Sequence, residues 1–197
     1  VYPKTLNKLI ESLRLMPGVG EKTAESMALF IVDNLEKKDA LIFAENIKNA
    51  VLEIKNCPIS HILTDQEISP IILDKSRDND IIMVLEDSKD VFMMEKMNYY
   101  KGSYHVLGGL IDYSRGITEE NLNLDSLSKR LTSNVKEMII ATNATIEGEM
   151  TANFLKELYK DNHFKITRLA YGIPVGIELR YTDISTLKLA VENRKEF

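Results

Sequence analysis

Between residues 81 and 169 the sequence alternates short apolar runs with segments of helical period, and that rhythm narrows the fold more than any other feature of the chain. The runs 81–85, 103–107, 137–141 and 165–169 read as strands. Between them Val91, Met94 and Met97, then Leu124, Leu127 and Leu131, then Thr151, Phe154, Leu155 and Leu158 recur at helical spacing. Strand and helix in turn predict a parallel sheet with helices on both faces. In open sheets of this kind ligands and partners gather at the carboxyl ends of the strands. Two strands here end in polar and acidic groups. Ile81-Ile82-Met83-Val84-Leu85 runs into Glu86-Asp87, and Ile139-Ile140-Ala141 runs into Thr142-Asn143 before a helix start that carries Glu147 and Glu149. A shared rim of Glu86, Asp87, Asn143 and Glu147 is therefore expected, and its metal content separates an enzyme from a binding module.

The first fifty-six residues follow a different, all-helical pattern. Leu6, Leu9, Ile10 and Leu13 predict an amphipathic helix that stops at Met16-Pro17, because the residue before proline is pushed out of the α region. Gly18-Val19-Gly20 follows, and Ala24, Met27, Ala28, Ile31 and Leu35 predict a second helix. Two helices joined through Pro-Gly-Val-Gly make a helix-hairpin-helix. Its glycines permit positive φ and close approach of another molecule, and the second helix's N-terminus offers free N–H groups to an anion. Lys22 lies in that first turn and could reach a phosphate; the bland reading is a tight corner in which the glycines serve packing alone. A third helix over about residues 40–55, with Leu41, Ala44, Ile47, Val51 and Ile54 on one face, is expected to pack over the first two.

Residues 57–78 are irregular and have the layout of a zinc ribbon short of ligands. Structural zinc takes four Cys or His groups, and here only Cys57 and His61 lie close together. An apolar staple in place of metal is expected. The last stretch opens with Gly172-Ile173-Pro174-Val175-Gly176 and ends in a helix bearing Ile184, Leu187 and Val191. It is hard to place in the sheet and reads as a segment that packs on a neighbouring subunit.

Net charge is −5, which rules out a chain coated in basic charge but leaves local nucleic-acid contact open. Residues 1–56 carry eight basic and eight acidic groups and residues 79–171 eleven and fourteen, so any phosphate contact belongs to geometry and a few lysines. No apolar run reaches the ~18 residues of a membrane helix. A single cysteine, Cys57, forbids an intrachain disulfide and fits a reducing cytoplasm. His61, His105 and His163 have no mutual spacing that suggests a metal site or triad.

The order of these parts resembles the bacterial RecR recombination family across essentially the whole chain. The residues that carry the resemblance are Tyr2-Pro3, Leu15-Met16-Pro17-Gly18-Val19-Gly20, Tyr104-His105-Val106-Leu107-Gly108-Gly109, Ala141-Thr142-Asn143 with Thr145-x-Glu147-Gly148-Glu149, Thr167-Arg168-Leu169-Ala170, and Gly172-Ile173-Pro174-Val175-Gly176. The resemblance implies an α/β protein with a helix-hairpin-helix DNA-binding domain (1–56), a degenerate zinc-finger-like segment (57–78), a Toprim domain (79–171) and a C-terminal assembly tail (172–197). It implies no enzymatic activity; no cofactor is expected. It further implies a clamp, dimeric or a tetrameric ring, that binds DNA without regard to sequence and acts with RecO, and in many bacteria RecF, to load RecA on gapped single-stranded DNA.

DNA contact is then expected from Gly18, Val19, Gly20 and Lys22, with Arg14 or Lys4 in support, since Ser26 stands where the family commonly has an arginine. The family's four zinc cysteines match Cys57, Ser60, Ser69 and Ile72, so metal is not expected there. In catalytic Toprim domains a strand-end glutamate and an Asp-x-Asp pair hold Mg²⁺. Here Glu86 fits the first, but Asn143 and Thr145 occupy the aspartate positions, which weighs against a Mg²⁺-dependent phosphoryl-transfer enzyme and leaves the rim to a partner protein.

Overall fold

The computed structural model describes residues 2–170 and 172–194. Contacts divide the chain into two units, 1–54 and 55–197.

In the first unit α1 (Lys4–Leu13) packs on α2 (Glu21–Leu29). Ile10 is buried against Ala24 and Ala28, with Leu6, Leu9, Leu13 and Val19 around them. The two alanines let the helices approach closely, and this small core is already filled by the α1 stripe. A π-turn, Phe30–Asn34, follows α2, and Leu35 and Glu36 then take extended ψ values of 136°. The chain leaves the helical direction there, and α3 (Lys37–Glu53) does not close onto the hairpin as the sequence pattern predicts: Phe43 shares an apolar cleft with Leu13, Met27, Phe30 and Ile31, but α3 buries no residue. Its apolar residues Leu41, Ile42, Phe43, Ile47, Val51 and Leu52 are all exposed.

The second unit opens with a two-stranded antiparallel ribbon, β1 (Lys55–Asn56) and β2 (Leu63–Thr64), and a short helix α4 (Pro70–Leu73). The main sheet contains β3 (Asp78–Leu85), β4 (Gly102–Val106), β5 (Glu137–Ile140) and β6 (Lys165–Arg168). Their order is β4-β3-β5-β6 and every pairing is parallel. Helices α5 (Ser88–Lys96), α6 (Leu124–Arg130) and α7 (Ile146–Leu158) connect them.

Side chains two apart along a strand share a face, and the two cores sort accordingly. Ile82, Val84, Met138 and Ile140 meet Leu127 of α6 and Ala152 and Leu155 of α7. Met83, Leu85, Tyr104 and Val106 meet Val91 of α5 and Ile62 from the β1–β2 turn. Burial on both faces explains why β3 reads as an unbroken apolar run rather than an alternating one.

The tail holds a 3-10 turn, Leu179–Tyr181, and α8 (Ile184–Glu192). Asp183 caps α8 by accepting from the Thr186 N–H at 2.9 Å. The tail leaves Val175, Leu179, Tyr181, Ile184 and Val191 exposed.

Candidate nucleic-acid interface and acidic rim

The α1–α2 turn closes through the Val19 N–H donating to Met16 O at 3.1 Å. Gly18 has φ +79°, a conformation that favours glycine. Gly20 differs: it is the N-cap of α2 in ordinary extended backbone, φ −80° and ψ 175°. A Cβ placed on either glycine meets nothing within 4 Å. No side chain caps α2, so the first-turn N–H groups face outward without a protein partner from a cap. Arg14, Gly18, Gly20 and Lys22 are exposed, as are Lys4 and Ser26, and Val19 is half-buried in the small core. Gly18, Val19, Gly20 and Lys22 thus fall on one turn with Arg14 just before it, while Lys4 opens α1 at its far end.

At the carboxyl ends of the sheet, Glu86, Asp112, Arg115, Asn143, Thr145 and Glu147 line a cleft of about 420 Å³. Asn143 Nδ2 donates to Glu86 Oε2 at 2.8 Å, tying the β5–α7 loop to the end of β3. Thr145 is the N-cap of α7 and its Oγ1 accepts from the Gly148 N–H at 3.1 Å. Gly148 is fixed by a close approach, because a Cβ there would stand 1.9 Å from Asn143 O. Arg168, at the end of β6, clamps the same loop: it donates to Thr142 Oγ1 at 2.8 Å, to Thr142 O at 3.2 Å and to Glu149 at 2.5 Å.

Asp87, grouped with this rim on sequence grounds, lines a different cleft. It is the N-cap of α5 and accepts from the Lys89 and Asp90 N–H groups at 2.8 and 3.2 Å. Asp112 and Arg115 take its place in the rim, 4.0 Å apart. Asp112 precedes Tyr113-Ser114-Arg115, and the Ser114 hydroxyl, assisted by the Arg115 and Ser114 N–H groups and the Arg115 charge, lowers its pKa. Nothing in the local sequence points that loop at Glu86; the chain reversal that ends in Gly116 does. Among the described residues no three His, Cys, Asp or Glu groups cluster as metal ligands.

The Cys57–Ile72 segment is held by hydrogen bonds and packing. Cys57, Ser60 and Ser69 are buried and Ile72 is half-buried. One thiol, two hydroxyls and an apolar side chain do not fit zinc. Instead the Cys57 Sγ accepts from the Ser69 N–H at 3.4 Å, and the Cys57 N–H donates to Ile62 O at 2.8 Å. Burial alone would raise the Cys57 pKa, but donation from the Ser60 hydroxyl and the Ser69, Ser60 and Ile59 backbone outweighs it, so the net shift is downward. Val106 N–H donates to Ser60 O at 2.8 Å, Leu63 N–H to Ser88 Oγ at 2.9 Å, and His61 Nε2 pairs with Ser126 Oγ at 2.7 Å. His61 itself sits at φ +58°.

His105 is internal to the fold. Its Nε2 donates to Asn123 O at 2.8 Å and Nδ1 faces Arg130 Nη1 at 3.3 Å. Burial, with the Arg130 charge and the neighbouring His61 ring, pushes its pKa down to about 3 despite the Asn123 carbonyl.

Comparison with known families matches three consecutive stretches: the helix-hairpin-helix of RecR over residues 6–51, the Toprim domain over residues 80–170, and the RecR C-terminal region over residues 172–195. Similar whole proteins bear the name recombination protein RecR. The one from Phytoplasma mali is 48% identical, covering 98% of this chain and 95% of its own length. Those from Lactococcus lactis subsp. cremoris and Enterococcus faecalis are each 44% identical, covering 99% of this chain and 98% of theirs.

Proposed function

We propose that this chain, which belongs to the RecR family of recombination proteins, is a non-catalytic DNA-binding mediator. In this reading it closes round DNA as a ring and acts with RecO and RecF to promote RecA loading on gapped or single-stranded DNA. A role in recombinational repair follows from the family itself.

The observation that carries the DNA reading is Gly20. Its backbone conformation is open to any residue and its would-be Cβ meets nothing inside the protein. Neither strain nor packing asks for glycine there. Approach by an outside group does, and the uncapped N-terminus of α2 with Lys22 beside it suits a phosphate. Such contacts fix a backbone and carry no base information, so binding is independent of sequence.

Assembly supports the same reading. One weak hairpin on a chain of net charge −5 gains from multiplicity. Two sets of apolar side chains stay exposed among the described residues: those of α3, and those of the tail from Val175 to Val191. Leu6 and Ile10 of α1 are taken up by the hairpin core, so α3 is the better candidate for the N-terminal contact. Two symmetric contacts of this kind close a four-membered ring.

The rim of Glu86, Asn143, Glu147 and Asp112 is assigned to RecO. An amide sits 2.8 Å from Glu86 and the Thr145 hydroxyl is spent on a helix cap, so neither position offers the carboxylate that Mg²⁺ chemistry asks of it. Nuclease-like activity, the competing reading, predicts Mg²⁺-dependent cleavage abolished by Glu86→Ala.

The test is fluorescence anisotropy with labelled duplex and single-stranded DNA across a salt series. Lys22→Glu should weaken binding equally for unrelated sequences and reduce the slope of log K against log[salt] by about 1 per hairpin engaged. Gly20→Val should weaken binding with unchanged thermal stability. Isotherms unchanged in both variants would refute the hairpin assignment.

A further inference from the structure

A second cleft, of about 320 Å³, lies at the other end of the sheet from the acidic rim. It is bordered by the residues that begin the strands: Asn79 and Asp80 of β3, Ser103 of β4, and Val135 just before β5. Open parallel sheets ordinarily take their ligands at the carboxyl ends, so its position predicts no site. Its chemistry does.

Arg130, the last residue of α6, faces this cleft. Its Nη1 donates to Tyr104 O at 2.5 Å and lies 3.3 Å from His105 Nδ1, and its Nη2 donates to Ser103 Oγ. These bonds fix the guanidinium plane without supplying a negative charge. The groups that favour its charged form are the Cys57 thiol and the Tyr100 phenol, neither of them a permanent anion. Burial lowers its pKa to about 10, which still leaves it charged at neutral pH. The one carboxylate bordering the cleft, Asp80, is held by Lys136 Nζ at 2.6 Å. Among the described residues Arg130 makes no ion pair. A largely desolvated guanidinium without an anion is an expensive arrangement for a fold to keep.

We propose that this cleft binds a small carboxylate ligand with a short apolar body, its carboxylate received by Arg130. A guanidinium fork matches a carboxylate in plane and spacing. Asn79, Thr132 and Asn134 add polar groups at the mouth, while Ile59, Ile72 and Val135 supply an apolar wall. That wall disfavours a bare inorganic ion. One guanidinium, with Asp80 already paired to Lys136, matches a monoanion better than a phosphate dianion. The volume lies at the small end of ligand pockets. Ile72 occupies one of the positions that matched zinc cysteines by family resemblance, so the wall uses a residue that no longer needs to serve a metal.

The test is amide and Arg side-chain NMR of the full chain at constant ionic strength, titrated with sodium 3-methylbutanoate and, separately, with inorganic phosphate. Saturable shifts of Arg130 Nε–H and of the Ser103 and Asn134 amides are expected with the carboxylate, with phosphate at least about tenfold weaker. Asn134 is exposed, so Asn134→Asp tests the charge preference without touching the core and should weaken binding about fivefold. Arg130→Gln should abolish the shifts; if that variant unfolds, Asn134→Asp decides alone. No saturable shift with 3-methylbutanoate, phosphate binding as tightly, or an Asn134→Asp variant that binds unchanged overturns the proposal.

Discussion

Acid should destabilise this protein through one histidine. His105 is fully buried, donates to Asn123 O, and faces the Arg130 guanidinium and the His61 ring, whose centroid is 5.6 Å away. Protonation would place a second positive charge against Arg130 on a ring that is itself fully buried. The folded-state pKa is accordingly pushed down to about 3 from an ordinary 6.5. Between those values the unfolded chain binds the extra proton and the folded chain does not. Stability from this group is therefore complete above pH 6.5 and falls as pH drops toward 3. From pH 7.5 to pH 5 the change is one and a half units of differential protonation, about 2 kcal/mol, a sizeable share of a typical folding free energy.

His61 shifts in the same direction, through burial and then the Arg130 charge, so wild-type pH dependence alone is ambiguous. The measurement is urea unfolding at both pH values for wild type and His105→Gln. The Gln amide can still donate to Asn123 O and accept from Arg130, but it cannot titrate. The variant should lose less stability than wild type on acidification, by about 2 kcal/mol. Parallel losses in the two proteins would show that His105 is protonated without penalty and that the reasoning from its burial is wrong.

Gly148→Ala should cost about 1–3 kcal/mol, because the new methyl falls on backbone at Asn143 O rather than on a side chain that can swing away; an unchanged melting temperature would show that the loop shifts freely. Phe43→Glu with Ile47→Glu on α3, or truncation after Ala170, should reduce particle size and weaken DNA binding more than Lys22→Glu does. Light scattering checks this, and full assembly in folded variants would remove these surfaces from the ring.

The sheet was legible because its physics is local. Four short apolar runs separated by helical stripes have few other solutions, and β3 to β6 fall where the runs lie. The hairpin was legible too, though the reason for its second glycine was not. Gly20 has no special φ, and only the empty space around it shows what the glycine leaves room for. Periodicity announced that α3 has an apolar face but could not say what meets it, since an amphipathic pattern is silent on the partner. Asp87 lines a cleft other than the rim for a related reason. An acidic residue at a strand end serves equally as a ligand or as the N-cap of the next helix, and the Lys89 and Asp90 N–H groups claim this one. What holds residues 57–78 depends on Ser88, Ser126 and Val106, remote in sequence, and no local pattern could name them.

Two places where related chemistry would use a metal are bridged by hydrogen bonds within the protein. In the Cys57–Ile72 segment the Ser69 N–H donates to the Cys57 sulfur, and at the rim the Asn143 amide donates to Glu86. In each case a hydrogen bond links two chain segments that a cation would otherwise bridge. The rim permits a direct reversal. Asn143→Asp would set a second carboxylate within reach of Glu86, turning an attraction into a like-charge contact worth on the order of 1 kcal/mol at surface dielectric. Clustered carboxylate oxygens are also what Mg²⁺ requires. The variant should therefore melt below wild type in chelator and recover as Mg²⁺ is added, whereas wild type should be indifferent to both. A wild-type melting temperature that rises with millimolar Mg²⁺ would mean the amide does not replace the cation, and would return the rim to the metal-dependent reading.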